Sequence, residues 1–263
     1  MKPSTTNRQL LELGKATGLK QRFELMGFAH ATHDEMFELL QESALAGGWQ
    51  EFSSSWNNLK RDRYMADGGR YRDRRHGVFS IDRAGVFKQV SHQPHYQSQK
   101  FNGLNGGLNR WFDPLETFVS NSTILHSIID AGCDVFRIWC QIEGQWRIEV
   151  HQMRINARGD APGKPTPEGL HRDGVDYALI MLIAKAGVHG GATTICDLQE
   201  RTLARLILAE PLETLFLDDR LLKHGVSPVV PVEGKLQPGY RDVLVITWKQ
   251  SLGPEKVDSD HSF

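Results

Sequence analysis

The sequence predicts an α+β protein whose C-terminal half is a β-rich core of the sandwich, jelly-roll or barrel type. Seven strand candidates follow one another between Trp146 and Trp248, with turn residues between most of them. Helical apolar spacing is confined to the N-terminal half. The chain is 263 residues long, 40% hydrophobic and 24% charged, which suits one large globular domain with its own core rather than a disordered chain.

Taken in order, residues 6–22 carry Leu10, Leu11, Leu13 and Leu19, the pattern of a short helix interrupted near Gly18. Phe23 to Ala31 reads as a strand. His33-Asp34-Glu35 opens an amphipathic helix through Met36, Phe37, Leu39 and Leu40, ending near Gly47-Gly48. Residues 56–112, rich in Arg, Asp, Gly, Asn and Gln, read as short strands and long loops. A second helix is expected from Pro114 and Leu115 to about Asp130, through Phe118, Ile124, Leu125, Ile128 and Ile129. The strand candidates are Trp146–Ile155, Asp176–Lys185, Gly191–Asp197, Leu203–Leu208, Glu213–Asp218, His224–Val230 and Asp242–Trp248. The expected organisation is a single domain over 1–263: an α+β portion at 1–145, the β core at 146–250 and a flexible tail at 251–263.

Charge and motifs exclude several classes. A formal net charge of -1, with 31 basic against 32 acidic residues, gives no footprint for nucleic acid or an anionic membrane. Cys133, Cys140 and Cys196 lack metal-knuckle or redox spacing and read as reduced thiols. Neither a signal core nor a membrane-length apolar run is present, so a cytoplasmic protein is expected. Gly103-Leu104-Asn105-Gly106-Gly107 lacks the dinucleotide spacing and reads as a turn or a loop over the active site. His92-Gln93-Pro94-His95 is a loop, and His189 a turn residue. A homodimer is only the general prior.

The chemistry concentrates in Gly169-Leu170-His171-Arg172-Asp173-Gly174. In an extended segment residues two apart share a side, so His171 and Asp173 can reach one metal. His224, opening a later strand, is the best third ligand. Two histidines and a carboxylate leave the opposite positions open, the facial triad of non-haem Fe(II) oxygenases. Arg241, at the start of the following strand, can form a bidentate pair with the distal carboxylate of a dicarboxylic acid.

Residues 147–248 resemble the 2-oxoglutarate/Fe(II) dioxygenases that hydroxylate free amino acids, the L-isoleucine dioxygenase group. The matching stretches are Glu149-Val150-His151-Gln152-Met153-Arg154-Ile155, His171-Arg172-Asp173-Gly174, Leu217-Asp218-Asp219-Arg220 with His224-Gly225-Val226, and Arg241-Asp242-Val243-Leu244-Val245. Weaker likeness extends to Arg70–Phe79 and Asn102–Pro114. The resemblance implies a double-stranded β-helix (jelly-roll, cupin-like) core flanked by N-terminal helices. It also implies Fe(II) on His171, Asp173 and His224, and 2-oxoglutarate anchored by Arg241, with O2 as the second co-substrate. Succinate and CO2 would be released as a C–H bond of a free L-amino acid is hydroxylated. Isoleucine, leucine and methionine are the favoured substrates, with no nucleic-acid or membrane partner. Where many relatives carry Ser two residues after the arginine, this chain has Val243; Thr247 is the candidate replacement.

Gln152 and Arg154 share one face of their strand, and Arg154 is a candidate for the substrate carboxylate; a structural polar network is the alternative for both. For Arg241 the alternative is a salt bridge to Asp218 or Asp219. The basic run Lys60–Arg63 and Arg70–His76 reads as a solvated face or an internal ion-pair network, with one arginine free to line the site. Two other functions use the same residues: a cupin-like hydrolase or isomerase with Zn(II) or Mn(II), and a non-catalytic β-barrel binding module.

Overall fold

A computed structural model describes residues 18–40, 45, 48–140, 144–159, 161–233 and 238–251. The described elements run in the order α1 (Leu19–Met26), β1 (Phe28–Ala31), α2 (His33–Leu40), α3 (Trp49–Ser54), β2 (Lys60–Arg61), β3 (Arg72–Ile81), β4 (Phe87–Gln89), α4 (Thr117–Ser120) and α5 (Thr123–Val135). There follow β5 (Gln145–Ala157), β6 (Tyr177–Ala186), β7 (Val188–Gly190), β8 (Ala192–Asp197), β9 (Thr202–Ile207), β10 (Thr214–Asp218), β11 (Leu222–Val226), β12 (Val229–Pro231) and β13 (Gly239–Ser251). The fold is mixed α and β with antiparallel sheets.

The large sheet has the order β1-β10-β6-β13-β5-β3-β2, with β4 beside β3. A second sheet, β11-β8-β9, and a two-stranded ribbon, β12-β7, complete the β structure. Alternation along the two long central strands decides what each face does. On β5, Trp146, Ile148 and Val150 are buried in the same core cluster as Leu244, Ile246 and Trp248 of β13. Ile124, Leu125, Ile128 and Ile129 of α5, spaced three and four apart, supply the helical side of that core. Residues of the opposite parity, including Glu149, His151, Met153 and Ile155 of β5 and Arg241, Val243, Val245 and Thr247 of β13, line a cavity of about 490 Å3. The large sheet therefore packs an apolar part of one face against helix α5 and lines a polar cavity with the other.

Several expectations are corrected. Phe23–Met26 are the end of helix α1, closed by Gly27 at φ 73°, and the strand begins only at Phe28. Glycine tolerates that left-handed conformation, which stops the helix and releases the chain into β1. The helix expected from Pro114 is two pieces, because Ser122 accepts the Ile124 amide and caps a new start. Within 56–112 lies the ten-residue strand β3, paired with β5 from Arg72↔Ile155 to Ile81↔Trp146. Its charged stretch hid it: Arg72 and Arg74 face the polar cavity, while Asp73 and Arg75 on the other side are held by Arg61 and Asn156 and by the Asn58 and Pro114 carbonyls. The strand expected over His224–Val230 is β11 and β12, broken at Ser227-Pro228. The helix over 6–22, up to residue 17, and the tail after 251 lie outside the described residues. No described helix is long and apolar enough to cross a membrane.

Candidate active site

His171 and His224 are joined through the backbone: each donates its amide to the other's carbonyl at 2.9 Å. That bridge sets the imidazole centroids 4.5 Å apart. The His171 ring nitrogen Nδ1 lies 3.0 Å from the carbonyl of Gly169. A carbonyl only accepts, so Nδ1 carries the hydrogen and Nε2 faces the site. From Nε2, Asp173 Oδ1 is 3.5 Å away, and Asp173 Oδ2 is 3.8 Å from His224 Nε2. Ligand atoms of His171, Asp173 and His224 all lie within 4.8 Å of one another, a set that can hold one metal ion.

Asp219 prepares this geometry. Its carboxylate accepts the amides of Asp173 and Gly174, both at 2.8 Å, and that of Val175 at 3.2 Å. Gly174 sits at φ 81°, the left-handed conformation that lets successive amides converge on one carboxylate. Burial pushes the Asp219 carboxyl up, to about 7, and the charge of Asp173 adds to it, while the amides oppose both. The loop's other side is held by Gln97, whose Nε2 donates to the Asp173 carbonyl at 3.1 Å.

The three clustered groups share charge. Burial acts to raise the Asp173 carboxyl, but its hydrogen bond to His171 and the charge of His224 hold it below the usual carboxylate range. Burial lowers His171, yet Asp173 and then Glu168 raise it to about 9. His224, buried and beside His171, is lowered to about 4. One carboxylate thus supports one imidazolium, and a divalent ion can replace that proton with more charge.

Arg241 lines the same cavity and is 2% exposed. It forms neither of the salt bridges weighed for it. Asp218 pairs with Arg220 at 2.6 Å, and Asp219 is taken up by the loop amides. Among the described residues, Arg241 Nε and Nη2 have no hydrogen-bond partner. Burial lowers its pKa to about 10, with no carboxylate to oppose the shift. A buried guanidinium fork without a partner is expensive alone and fits a carboxylate of a bound ligand.

Thr247 also lines the cavity, but it lies six residues along β13 from Arg241, about 20 Å at the rise of a strand. It does not join Arg241 on one carboxylate, which corrects that expectation. Gln152 and Arg154 face away from the cavity. Gln152 donates to Ser55 Oγ at 2.7 Å, and Arg154 forms a two-pronged pair with Asp242 at 2.7 Å while lying over Tyr240. The alternative reading, a structural polar network, describes them. They do share one face; strand register puts the other parity inside.

Beyond allowing one arginine of the basic run to line the site, sequence reasoning missed the neighbouring part of the cavity, on β3, β5 and the loop of His95. Arg74 Nη2 donates to His151 Nδ1 at 2.7 Å. Glu149 Oε2 accepts from His76 Nε2 at 2.9 Å and from His95 Nδ1 at 2.6 Å, and Oε1 accepts from Arg147 at 2.9 Å. His76, His95, Glu149 and His151 also have metal-compatible spacing. However, the arginine donor consumes the Nδ1 lone pair of His151, so a neutral ring presents Nε2–H and not a lone pair to Glu149. The quartet is a hydrogen-bond network. The signal available in the sequence was the parity of Arg72-Asp73-Arg74-Arg75-His76 and Glu149-Val150-His151, charged residues two apart.

Comparison with known proteins bears on the arrangement. A bsmA homolog from Methylobium petroleophilum is 34% identical, with 89% of this chain and 92% of that one covered at a TM-score of 0.79. IDO from Bacillus thuringiensis, 19% identical over 95% of this chain and 99% of that one, has a TM-score of 0.73 and shares the fold. So does TqaL, an Fe(II)/α-ketoglutarate-dependent dioxygenase, at 17% identity, 95% and 91% coverage and a TM-score of 0.70. No curated protein is similar enough to match. Residues 53–247, which carry the triad, Arg241 and most of the cavity lining, match the family described as 2OG-Fe dioxygenase. The chain belongs to that family, enzymes that work with Fe(II), 2-oxoglutarate and O2.

Proposed function

We propose that this enzyme hydroxylates a free L-amino acid with an aliphatic side chain, with isoleucine, leucine and methionine as the first substrates to try. His171, Asp173 and His224 hold the iron, and Arg241 holds the distal carboxylate of 2-oxoglutarate. With O2, the bound iron and 2-oxoglutarate supply an oxidant, releasing succinate and CO2. The protein's own residues fix the positions: the His171–His224 bridge and Asp219 keep three donors preorganised. In this reading the concave face of the large sheet and the smaller β11-β8-β9 sheet form the two halves of a double-stranded β-helix.

The observation that carries the reading is Arg241, a buried guanidinium with open donors in the same cavity as the triad. That feature and the family membership favour an oxygenase over a cupin-like hydrolase or a binding module. The aliphatic preference rests on the apolar positions Met153, Ile180, Val243 and Val245 in the cavity wall.

The test is anaerobic loading with Fe(II) and 2-oxoglutarate, then air, with pooled L-amino acids, reading succinate and products heavier by one oxygen. Both products, abolished in His171→Ala, support the proposal. Succinate without an oxidised amino acid keeps the oxygenase and removes this substrate class.

A further inference from the structure

Two strands from Arg241 on the same cavity-lining sheet face, and in the loop beside it, the cavity carries more positive charge than the carboxylate in contact with it neutralises. Arg72, Arg74 and Arg110 are all buried and line the cavity. Asp62 is the carboxylate in contact with two of them, 2.7 Å from Arg72 Nε and 3.7 Å from Arg74 Nη1. Arg110, 2% exposed, donates from Nη2 to the neutral Gln97 Oε1 at 3.3 Å. Among the described residues, the Nε atoms of both Arg74 and Arg110 lack a hydrogen-bond partner.

Phe112 places these two side chains together. Its ring centroid lies 3.9 Å from Arg74 Cζ and 5.8 Å from Arg110 Cζ. Stacking of a guanidinium on a ring leaves its in-plane N–H groups for an anion. Arg74 is fixed further by its bond to His151. Burial lowers the pKa of Arg110, and lowers that of Arg74 to about 9, with Arg72 pushing both in the same direction. An added anion relieves both effects.

Glu168 supplies the opposite sign in the same cavity. Its Oε1 is 3.6 Å from His171 Nε2, and its buried Oε2 has no hydrogen-bond partner among the described residues. Its charge acts on Arg110. A molecule with an anionic and a cationic group on neighbouring atoms offers each of these open positions a partner of the right charge.

We infer that Arg74 and Arg110 receive the α-carboxylate of the substrate and that Glu168 receives its α-ammonium. This rests on the free-amino-acid reading above and assigns the head-group contacts within it. It also explains why Arg154, already paired to Asp242, is not needed for the task.

The closing experiment uses the enzyme loaded with Fe(II) and 2-oxoglutarate. Isoleucine, leucine and methionine are each compared with their carboxamides and N-acetyl derivatives, by steady-state kinetics in air and by calorimetric titration without O2. Wild type should bind each free acid at least about thirtyfold more tightly than its carboxamide, as expected when a buried charge loses its partner. Arg110→Gln should raise KM and Kd for the free acid by a similar factor and bring acid and carboxamide close together. Arg110→Lys should recover part of the loss. Glu168→Gln should erase the preference for a free over an acetylated amine. Comparing derivatives on wild-type enzyme requires no variant to fold. Equal affinity of wild type for acid and carboxamide overturns the inference, as does an Arg110→Gln enzyme with unchanged KM and Kd. If wild type oxidises no free amino acid, the functional reading fails first and the head-group assignment falls with it.

Discussion

Arg241 sets stability against function. In the ligand-free protein its guanidinium is buried with open donors, a burden on the fold. Arg241→Met should therefore melt above wild type without cosubstrate, by about 1–4 kcal/mol in unfolding free energy, as for other buried charges replaced by apolar groups. With saturating 2-oxoglutarate the order should reverse, because only wild type gains the linkage term. Thermal melting at several 2-oxoglutarate concentrations checks both halves, and a variant stabilised as strongly by the cosubstrate as wild type would remove Arg241 from that role. The triad was legible in the sequence because His171 and Asp173 are two apart in an extended segment, so their convergence is local. The arginines of β3 were less so. Their meaning depends on which parity faces the cavity, and that is decided by pairing with β5, distant in sequence.

At the level of elements, the segment from His171 to Val175 depends on one backbone conformation. Gly174 at φ 81° leaves no room for a side chain, and a Cβ there would lie 2.4 Å from Phe101 Cδ2. Gly174→Ala should cost about 1–3 kcal/mol in strain and displace the adjacent Asp173 from its partners. Lower Fe(II) affinity, measured by competition with a chelator, is the expected result; unaltered affinity would mean the loop has slack. The same scale explains the failed helix and strand boundaries. Residues from Phe23 are apolar enough for either state, and only the glycine that closes α1 decides where β1 starts. Gln152 and Arg154 show the converse error, in which the shared face was right and its direction was not. Nothing in β5 alone says that Ile148 and Val150 meet helix α5 while Glu149 and His151 meet the cavity; the choice requires the helix in place.

For the whole molecule, the polar interior makes acid the natural denaturant. Burial lowers His95 to about 4, and it lowers His76 and His151 as well. Above their ordinary value of 6.5 these rings are neutral in both folded and unfolded chains. Below it the unfolded chain takes up protons that the folded one refuses, so stability is lost as pH falls from about 6.5 towards 4. Glu149, held well below the usual carboxylate range against burial by His76 and His95, acts in the same direction at lower pH. The urea midpoint should decline steadily across that window, and His95→Gln should flatten the decline. A midpoint independent of pH there would show that the cluster tolerates charge.

The three amides gathered by Asp219, together with the paired backbones of His171 and His224, also bear on how iron is acquired. Each donor is tied to backbone whose hydrogen bonds run within the chain, so uptake should ask little reordering of it. Iron should behave as a removable part: a chelator strips it, the amide exchange rates of Asp173–Val175 stay slow, and fresh Fe(II) restores turnover without a refolding lag. Asp219→Asn should turn that rapid exchange of metal into a slow one, visible as a lag after iron is added back.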